Sequence, residues 1–372
     1  MKLSLLSENL QKKLIFANHA ISNRSQLPII LNFLIEARKG SLNVRSTDLE
    51  IGISIEIPAV VEEEGITTVP AKSFLELVSM IPSGKITLTL NKKGLELKTE
   101  KIKTIFQVSS PNDFPKLYEN TGDETIRIER EMVNNFFGKV VFAASQDLAR
   151  PALSGILIKK EKERLWVIST DGYRLSLKEN VFKGKENASG DFSAIVPARV
   201  IRELVLMEKN EGDIKMFASK QNNQVVFLQN DTVLVGRLIE AEFPDYEKII
   251  PTSFSTKISF DRQDFHNAVR TCYIFARETA GIVRLSIKKD KTILSSNTPS
   301  VGENSVEIET KTTGEENEIA FNGRYLLDLF SNVQEEEMFF EMTGSLNPCV
   351  FRIKKDPLFL HLIMPIRVQE EI

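Results

Sequence analysis

The feature that most constrains this chain is a short sequence motif that occurs in three copies. TTVPAKSFLELV from Thr67, AIVPARVIRELV from Ala194 and IAFNGRYLLDLF from Ile319 each join a short apolar strand to a helix with apolar residues at helical spacing. Proline is tolerated at the helix start because a first-turn N–H has no helical partner, and Asn322 replaces it in the third copy. The copies lie about 125 residues apart, which predicts a fold of three similar units.

The start of each unit repeats as well. KLSLLSENLQKKLIFANHAI, TIRIEREMVNNFFGKVVFAA and KISFDRQDFHNAVRTCYIFA each read as an alternating strand followed by a helix. The second helix is predicted to bury one face, formed by Val133, Phe136, Phe137, Val140 and Val141. We therefore predict an α+β chain of three tandem similar domains, 1–122, 123–253 and 254–372, each made of two strand-helix-strands halves.

The phrase STD occurs twice, ending at Asp48 and at Asp171, between alternating apolar residues. A pair of catalytic carboxylates and a structural repeat both explain such a recurrence. Because the two positions are equivalent in the repeat, we predict two hairpin turns in different domains. Asp171-Gly172 is a favoured turn pair, and the strand after Asp48 should bury one face, formed by Ile51, Ile53, Ile55 and Ile57.

Composition limits the kind of partner and compartment. The chain has 372 residues, 42% of them hydrophobic, and a formal net charge of -3, whereas a protein that grips DNA by charge alone is basic. Cys272 and Cys349 form no CxxC pair, and the histidines lack metal-ligand spacing, so we expect a reducing compartment and no metal or cofactor. No run approaches the roughly 18 apolar residues of a membrane span, which favours a cytoplasmic protein.

Several motifs now combine into a resemblance that covers the whole chain. LPIILNFLIEA, TTVPAKSF, DFPKL, RPALSGI, STDGYRLS, VPARVIREL, EFPDYEKIIP and the late MPIR, in this order, resemble the bacterial DNA polymerase III beta subunit family, the sliding clamps. The resemblance implies a homodimer of crescents closed head to tail into a ring around duplex DNA, with helices inside and antiparallel sheets outside. It also implies a non-catalytic processivity factor whose partners are the DNA polymerase III catalytic subunit, the clamp loader, and repair and translesion polymerases.

A clamp must hold DNA without gripping it. Duplex DNA carries one charge per roughly 1.7 Å, so many basic contacts would give tight, salt-sensitive binding, and a mildly acidic protein fits retention by encirclement better. We expect phosphate contacts only. The resemblance places them at Arg24, Lys72, Gln146, Arg150 and Arg199, and helix position and charge add Arg202 and Arg277, although each could be an ordinary solvated residue.

The resemblance also implies a pocket, between the second and third domains, for short partner peptides with apolar anchors. Leucine, isoleucine and methionine side chains would form an adaptable apolar cup, and Arg174 and Arg367 could hold backbone or carboxylate groups at its rim. Leu175 and Leu362 could instead be core residues. The matching positions are Leu153, Thr170, Gly172, Tyr173, Arg174, Leu175, Pro244, Lys248, Ile249, Asn322, Tyr325, Leu346, Leu362, Met364, Pro365, Ile366 and Arg367.

Three departures from the family pattern concern this pocket. Ala280 stands where some members have a bulky residue, which predicts a shallower wall. Lys248 stands where arginine is common. Lysine keeps the positive charge but cannot bind a carboxylate through two parallel hydrogen bonds as arginine does. The chain continues past Arg367 as VQEEI, which puts Glu370 and Glu371 close to the pocket.

The ring seam is predicted from charge. Lys101 and Lys103 lie on one face of an expected edge strand in the first domain, and Glu307 and Glu309 do so in the third. Opposite charges on facing strands each contribute roughly 0.2–1 kcal/mol, enough to set register. We expect these strands to meet across the dimer, with Phe106 and Ile308 as apolar contacts.

Two other functions compete with the clamp. One is a metal-dependent phosphohydrolase that uses Asp48, Asp171 and Asp245, although the chain has no GxxxxGK[ST] or HExxH motif. The other is a scaffold that binds DNA by contact rather than by encirclement, which predicts salt-sensitive binding to short linear duplex.

Overall fold

The computed structural model describes residues 1–22, 24–116, 124–182, 190–207, 212–219, 222–278, 280–300 and 302–367. Its backbone forms two compact units. One comprises Met1–Val133 and Arg202–Leu238, and the other comprises Asn134–Lys185, Gly190–Ile201 and Ile239–Ile372. The predicted domain boundaries stay predictions, and the one at 122/123 lies outside the described residues, as does the VQEEI tail after Arg367.

Short strands and a few helices alternate in the first third of the chain. In chain order the described residues form β1 (Lys2–Leu6), α1 (Ser7–Ala17), β2 (Asn32–Arg38), β3 (Ser41–Thr47), β4 (Ile51–Pro58), β5 (Val60–Glu63), β6 (Gly65–Pro70), α2 (Ala71–Met80), β7 (Lys85–Asn91), β8 (Gly94–Lys98), β9 (Lys103–Phe106), β10 (Glu124–Ile128) and α3 (Arg130–Val133).

The same alternation continues to the C-terminus. A π-helical turn (Asn134–Gly138) is followed by α4 (Lys139–Val141), α5 (Pro151–Ser154), β11 (Gly155–Glu161), β12 (Arg164–Thr170), β13 (Arg174–Val181), β14 (Phe192–Pro197), α6 (Ala198–Leu206), β15 (Ile214–Ser219), β16 (Gln224–Gln229), β17 (Thr232–Arg237), β18 (Thr256–Asp261), α7 (Arg262–Ala276), β19 (Ile282–Ile287), β20 (Lys291–Thr298), β21 (Gly302–Glu309), β22 (Lys311–Gly314), β23 (Asn317–Asn322), α8 (Gly323–Asn332), β24 (Glu337–Met342), β25 (Cys349–Ile353) and β26 (Asp356–Ile363).

The first unit contains a five-stranded sheet, β5-β1-β7-β8-β9, and an eight-stranded sheet, β10-β15-β16-β17-β4-β3-β2-β6. The larger sheet joins segments that are far apart in sequence, since Leu234 of β17 pairs with Ile53 of β4. The predicted apolar face of β4 is confirmed, because all four of its isoleucines are at most 2% exposed. Burial on this scale is what stabilises a sheet of mostly non-local pairings.

The second unit contains a nine-stranded sheet, β14-β11-β12-β13-β26-β25-β24-β18-β22, and a four-stranded sheet, β21-β20-β19-β23. The pairing of β13 with β26 sets Leu175 opposite Leu362. Aromatic rings fill the core beside α7 and α8, with Phe330 packed against Phe265 and Phe351. Every strand pairing among the described residues is antiparallel, as expected for the predicted α+β class.

The predicted sixfold recurrence of a strand followed by a helix is confirmed. It appears as β1–α1, β6–α2, β10–α3, β14–α6, β18–α7 and β23–α8. Asn322, which replaces the proline, is the N-cap of α8, and its side chain accepts a hydrogen bond from the Arg324 N–H at 3.0 Å. The helix predicted after β10 is not continuous, because the π-helical turn interrupts it, yet all five of its predicted face residues are buried.

Two further observations concern the described part of the chain as a whole. None of its helices is long and apolar enough to cross a membrane. None of its histidine, cysteine, aspartate and glutamate side chains forms a group of three or more that could hold a metal ion.

Candidate functional site

The turn between β12 and β13 is fixed by its own side chains. The Thr170 hydroxyl donates to the Arg174 carbonyl at 2.7 Å and accepts from the Gly172 N–H. Asp171 Oδ1 accepts from the N–H groups of Tyr173 and Arg174 at 2.9 and 3.0 Å. The turn therefore holds Gly172 and Tyr173 outward, and the Tyr173 side chain is 57% exposed.

An apolar cluster lies under this turn. Leu175 and Leu362 face each other across β13 and β26, and neither has any exposed surface. Met364, Tyr246 and Ile250 pack against the same cluster and are partly exposed. Leu175 and Leu362 are thus core residues, the alternative that the sequence left open. They form the buried floor under the turn and do not line an open pocket.

The C-terminal segment closes one side of the site. The Met364 N–H donates to the Tyr173 carbonyl at 2.8 Å, and the Ile366 N–H donates to the Ala320 carbonyl at 2.8 Å. These two bonds tie the segment both to the turn after β12 and to β23. Met364, Pro365 and Ile366 are half-buried and Arg367 is exposed.

The start of α8 and the β24–β25 loop add two more walls. Asn322 caps α8, and the half-buried Tyr325 ring lies 4.6 Å from the centre of the Arg174 guanidinium. Leu346, in the loop, is 55% exposed and shares a surface depression with Ile366. Ala280 is exposed, and the shallower wall expected there stays a prediction.

The segment before β18 contributes exposed residues. Pro244 is exposed, Ile249 is 42% exposed and Lys248 is 82% exposed. The Lys248 ammonium lies 2.6 Å from the Asp245 carboxylate, and this hydrogen-bonded pairing raises the pKa of Lys248 and lowers that of Asp245. On the other side of the site, a Cβ placed on Gly172 would lie 4.0 Å from Leu153 Cδ1.

Arg174 is held by contacts within its own chain. Its guanidinium donates to Asp171 Oδ2 at 3.0 Å, to Asp328 Oδ2 at 2.6 Å and to the Phe142 carbonyl at 3.1 Å. The residue is only 8% exposed. Three of its five N–H donors thus hold the turn, α8 and the end of α4 together. The expectation that Arg174 also holds a partner's backbone or carboxylate at the rim stays a prediction. Arg367 remains available at the rim.

The predicted DNA-contacting residues are all exposed, and they fall in both units. Arg24, Lys72 and Arg202 belong to the first unit, and Gln146, Arg150, Arg199 and Arg277 belong to the second. Arg150 lies near the candidate peptide site, since a Cβ on Gly172 would be 3.7 Å from its Nη1. Arg270, which the sequence did not single out, is likewise an exposed arginine on α7.

The predicted seam residues are at sheet edges, with two differences. β9 and β21 are the edge strands of their sheets, but β9 begins at Lys103, so Lys101 precedes it. Phe106 and Ile308 are each 8% exposed, with Phe106 against Phe74 and Ile308 in the core beside α7, so little of either is left as an apolar contact. Strand alternation explains this, because both lie opposite the charged face. Glu307 and Glu309 are exposed as predicted.

The three aspartates of the phosphohydrolase alternative are engaged locally. Asp48 Oδ1 accepts from the N–H groups of Glu50 and Ile51, as Asp171 does in its own turn. Asp245 pairs with Lys248. These carboxylates serve as turn and ion-pair acceptors, which supports the structural interpretation of the repeated phrase.

Comparisons with known proteins agree over most of the chain. Family models for the N-terminal, central and C-terminal domains of the DNA polymerase III beta subunit match residues 1–118, 127–245 and 247–367. The beta sliding clamp of Staphylococcus aureus (strain Mu50 / ATCC 700699) is 28% identical over 361 residues, covering 94% of each chain. That of Staphylococcus epidermidis is 27% identical with the same coverage.

Solved structures share the fold. The DNA polymerase III beta subunit of Thermotoga maritima has a TM-score of 0.91 at 26% identity, and that of Streptococcus pyogenes has 0.94 at 22%. A Pseudomonas aeruginosa sliding clamp bound to griselimycin has 0.91 at 23%. Each comparison covers 99% of this chain and 100% of the other.

Proposed function

From the premise that this chain belongs to the DNA polymerase III beta subunit family and acts as a DNA sliding clamp, we propose how it does so. Two copies close head to tail into a ring around duplex DNA, and each copy holds short peptides of its partners at the site beside Tyr173. The partners are the DNA polymerase III catalytic subunit, the clamp loader, and repair and translesion polymerases. The chain itself catalyses nothing and works in the cytoplasm as a processivity factor.

Ring closure is supported by the edge strands β9 and β21 of two different sheets. An edge strand presents unpaired N–H and C=O groups that favour pairing with another chain. β9 carries Lys103 at such an edge, and β21 carries Glu307 and Glu309. Lys103 and Glu307 already have partners in their own sheets, Glu96 at 3.3 Å and Lys291 at 2.7 Å. The Glu96 side chain is 19% exposed, and the other three are between 45% and 62% exposed. On this proposal backbone pairing provides most of the affinity of the seam, and the charges adjust its register.

DNA is held loosely on this proposal. The candidate contacts, such as Arg24, Lys72 and Arg199, are exposed side chains at the ends of helices or beside them. Long flexible basic side chains can meet phosphates at any position along a duplex, which suits sliding. The net charge of -3 opposes tight binding through charge alone.

The observation that carries the peptide proposal is the hydrogen bond from the Met364 N–H to the Tyr173 carbonyl. It holds the exposed Tyr173 side chain and the half-buried Met364 side chain together beside the buried floor. The exposed Leu346 side chain lies close by, since it shares a depression with Ile366. Adaptable methionine and leucine surface with a few polar groups is typical of sites that accept several partner peptides. A ligand-bound relative of the same fold gives further support.

The experiment is primer extension with a bacterial polymerase and clamp loader, scored by product length. Leu346→Ala and Met364→Ala should shorten the products about tenfold, since each removes an apolar contact of about 1–2 kcal/mol. Leu358→Ala is the matched control, because Leu358 is also partly exposed, 39%, but lies at the opposite end of β26. Unchanged products with the first two variants would contradict the proposed site.

A further inference from the structure

Next to the peptide site, one face of the four-stranded sheet is hollow. Two depressions of about 510 and 650 Å³ share Arg284 and Ser295 in their linings, and we call them together the Arg284 groove. Arg284 and Ser295 lie on the sheet face away from α7, since their neighbours Leu285 and Leu294 point into the core on that helix's side.

The hollow arises from side-chain size. Arg284 pairs across the strands with Ser295 on one side and Ala320 on the other, and Ser295 pairs in turn with Ser305. Cross-strand neighbours of this kind lie about 5 Å apart, so small residues on both sides leave open space beside a long side chain. The groove is therefore built around one arginine.

Arg284 is exposed, and it makes no ion pair or hydrogen bond with any other residue in the described ranges. Glu303 and Glu318 also line the groove, but neither carboxylate lies within 4 Å of its guanidinium, and Glu318 Oε1 accepts from the Ser286 hydroxyl at 2.9 Å. A guanidinium offers a planar fork that matches a carboxylate. The two glutamates at the margin disfavour a carboxylate placed anywhere except at that fork.

The groove is continuous with the peptide site. Leu346 and Ile366 belong to that site and also line the groove. Ile366 bonds to Ala320, the cross-strand neighbour of Arg284. Two strand spacings of about 4.8 Å separate Arg284 from the C-terminal segment, and an extended peptide advances about 3.3 Å per residue. A residue about three positions beyond an apolar anchor would therefore reach Arg284.

We propose that the Arg284 groove binds an aspartate or glutamate side chain that lies about three residues outside the apolar anchors of a partner peptide. The inference rests on the proposed peptide-binding function and adds a charge preference to it. Partners with such an acidic flank bind more tightly than partners that have the anchors alone.

The test measures the affinity of synthetic peptides for the full-length protein by fluorescence anisotropy. Each peptide carries two apolar anchor residues. One series has aspartate two, three or four positions outside the anchors on either flank, and the matched series has asparagine. At one position the aspartate peptide should bind about tenfold more tightly than its asparagine match, as for one charge-assisted contact. The advantage should disappear in Arg284→Gln, shrink in Arg284→Lys and persist in Arg164→Gln, an exposed arginine of β12.

Glu318 gives a second variant for this test, and the peptide affinities distinguish a failure of the groove from a failure of the peptide site. Glu318→Gln should increase the preference for aspartate, because it removes a repelling carboxylate from the margin. If the asparagine peptides bind and weaken in Met364→Ala, but no aspartate position gains affinity or the gain survives Arg284→Gln, the groove inference is overturned and the peptide site stands. If asparagine peptides do not bind, or bind equally to Met364→Ala, the peptide site itself is wrong.

Discussion

Leu49 and Gly172 occupy equivalent positions in two hairpin turns, and both have left-handed backbone conformations, with φ of +79° and +93°. In each turn an aspartate accepts backbone N–H groups two and three residues ahead, and a threonine hydroxyl donates to the carbonyl four residues ahead. The left-handed conformation costs an L-residue roughly 1–2 kcal/mol and costs glycine little. The repeat thus places strain in the first turn and none in the second.

Gly172→Ala should destabilise the protein by about 1 kcal/mol. The cost is conformational, because the nearest atoms to the new Cβ, Arg150 Nη1 and Leu153 Cδ1, lie at 3.7 and 4.0 Å and leave room for it. Urea unfolding measures the change. Gly190→Ala is the control, since a Cβ there meets nothing within 4 Å and the backbone is not left-handed. Equal effects at the two glycines would refute the conformational explanation.

Arg174→Met should lower the free energy of unfolding by about 2–3 kcal/mol. The change leaves the Asp171 and Asp328 carboxylates, whose side chains are 14% and 33% exposed, without their shared guanidinium. Arg164→Met, at a position 61% exposed, should cost less than about 0.5 kcal/mol. If Arg174→Met instead left stability intact and abolished peptide binding, the guanidinium would be a ligand contact after all.

Stability should fall as the pH drops below about 6.5, and His361 should account for part of the fall. His361 is fully buried, its Nδ1 lies 2.6 Å from the Ser176 hydroxyl, and burial, assisted by the Arg174 charge, lowers its pKa well below 6.5. The folded histidine stays neutral while the unfolded one takes up a proton, so stability is lost as pH decreases.

The measurement is urea unfolding of the wild type and His361→Gln between pH 7.5 and pH 5. The wild type should lose up to about 1.4 kcal/mol per pH unit more than the variant on the acidic side. Above pH 7 the difference between the two proteins should be constant. Parallel pH profiles throughout would show that His361 takes up its proton as readily in the folded protein as in the unfolded chain, which would contradict a lowered pKa.

Charge reversal at Lys101 and Lys103 should weaken the dimer about tenfold or more, since two favourable cross-strand pairs would become repulsive. Because Lys101 precedes β9, Lys103→Glu alone should produce most of the change. Sedimentation equilibrium provides the dissociation constant. Lys93→Glu, in the β7–β8 turn of the same sheet, is the matched control. A dimer that is unchanged in the double variant would place the seam elsewhere.

Sequence alone could predict the elements that depend on local periodicity. The strand and helix starts, the buried face of β4 and the two equivalent turns all follow from spacing within a short window. The burial of Phe106 and Ile308 could also have been predicted, since alternation places each on the face opposite its charged neighbours.

Relationships between distant segments could not be predicted in this way. Arg174 meets Asp328 across 154 positions in the chain, and no local pattern encodes that pairing. The Arg284 groove depends on the sizes of Ser295, Ser305 and Ala320, which meet only after β19, β20, β21 and β23 have paired. Such sites require the register of the sheet before they can be recognised.

Retention on DNA tests the encircling ring most directly. The protein would be loaded by a bacterial clamp loader onto a nicked circular plasmid, washed at high salt, and then followed after the plasmid is cut once. A ring predicts that the protein stays on the circle through the wash and leaves once ends appear, because topology is insensitive to salt. If salt alone removes it equally from circle and line, it binds by charge, and encirclement is wrong.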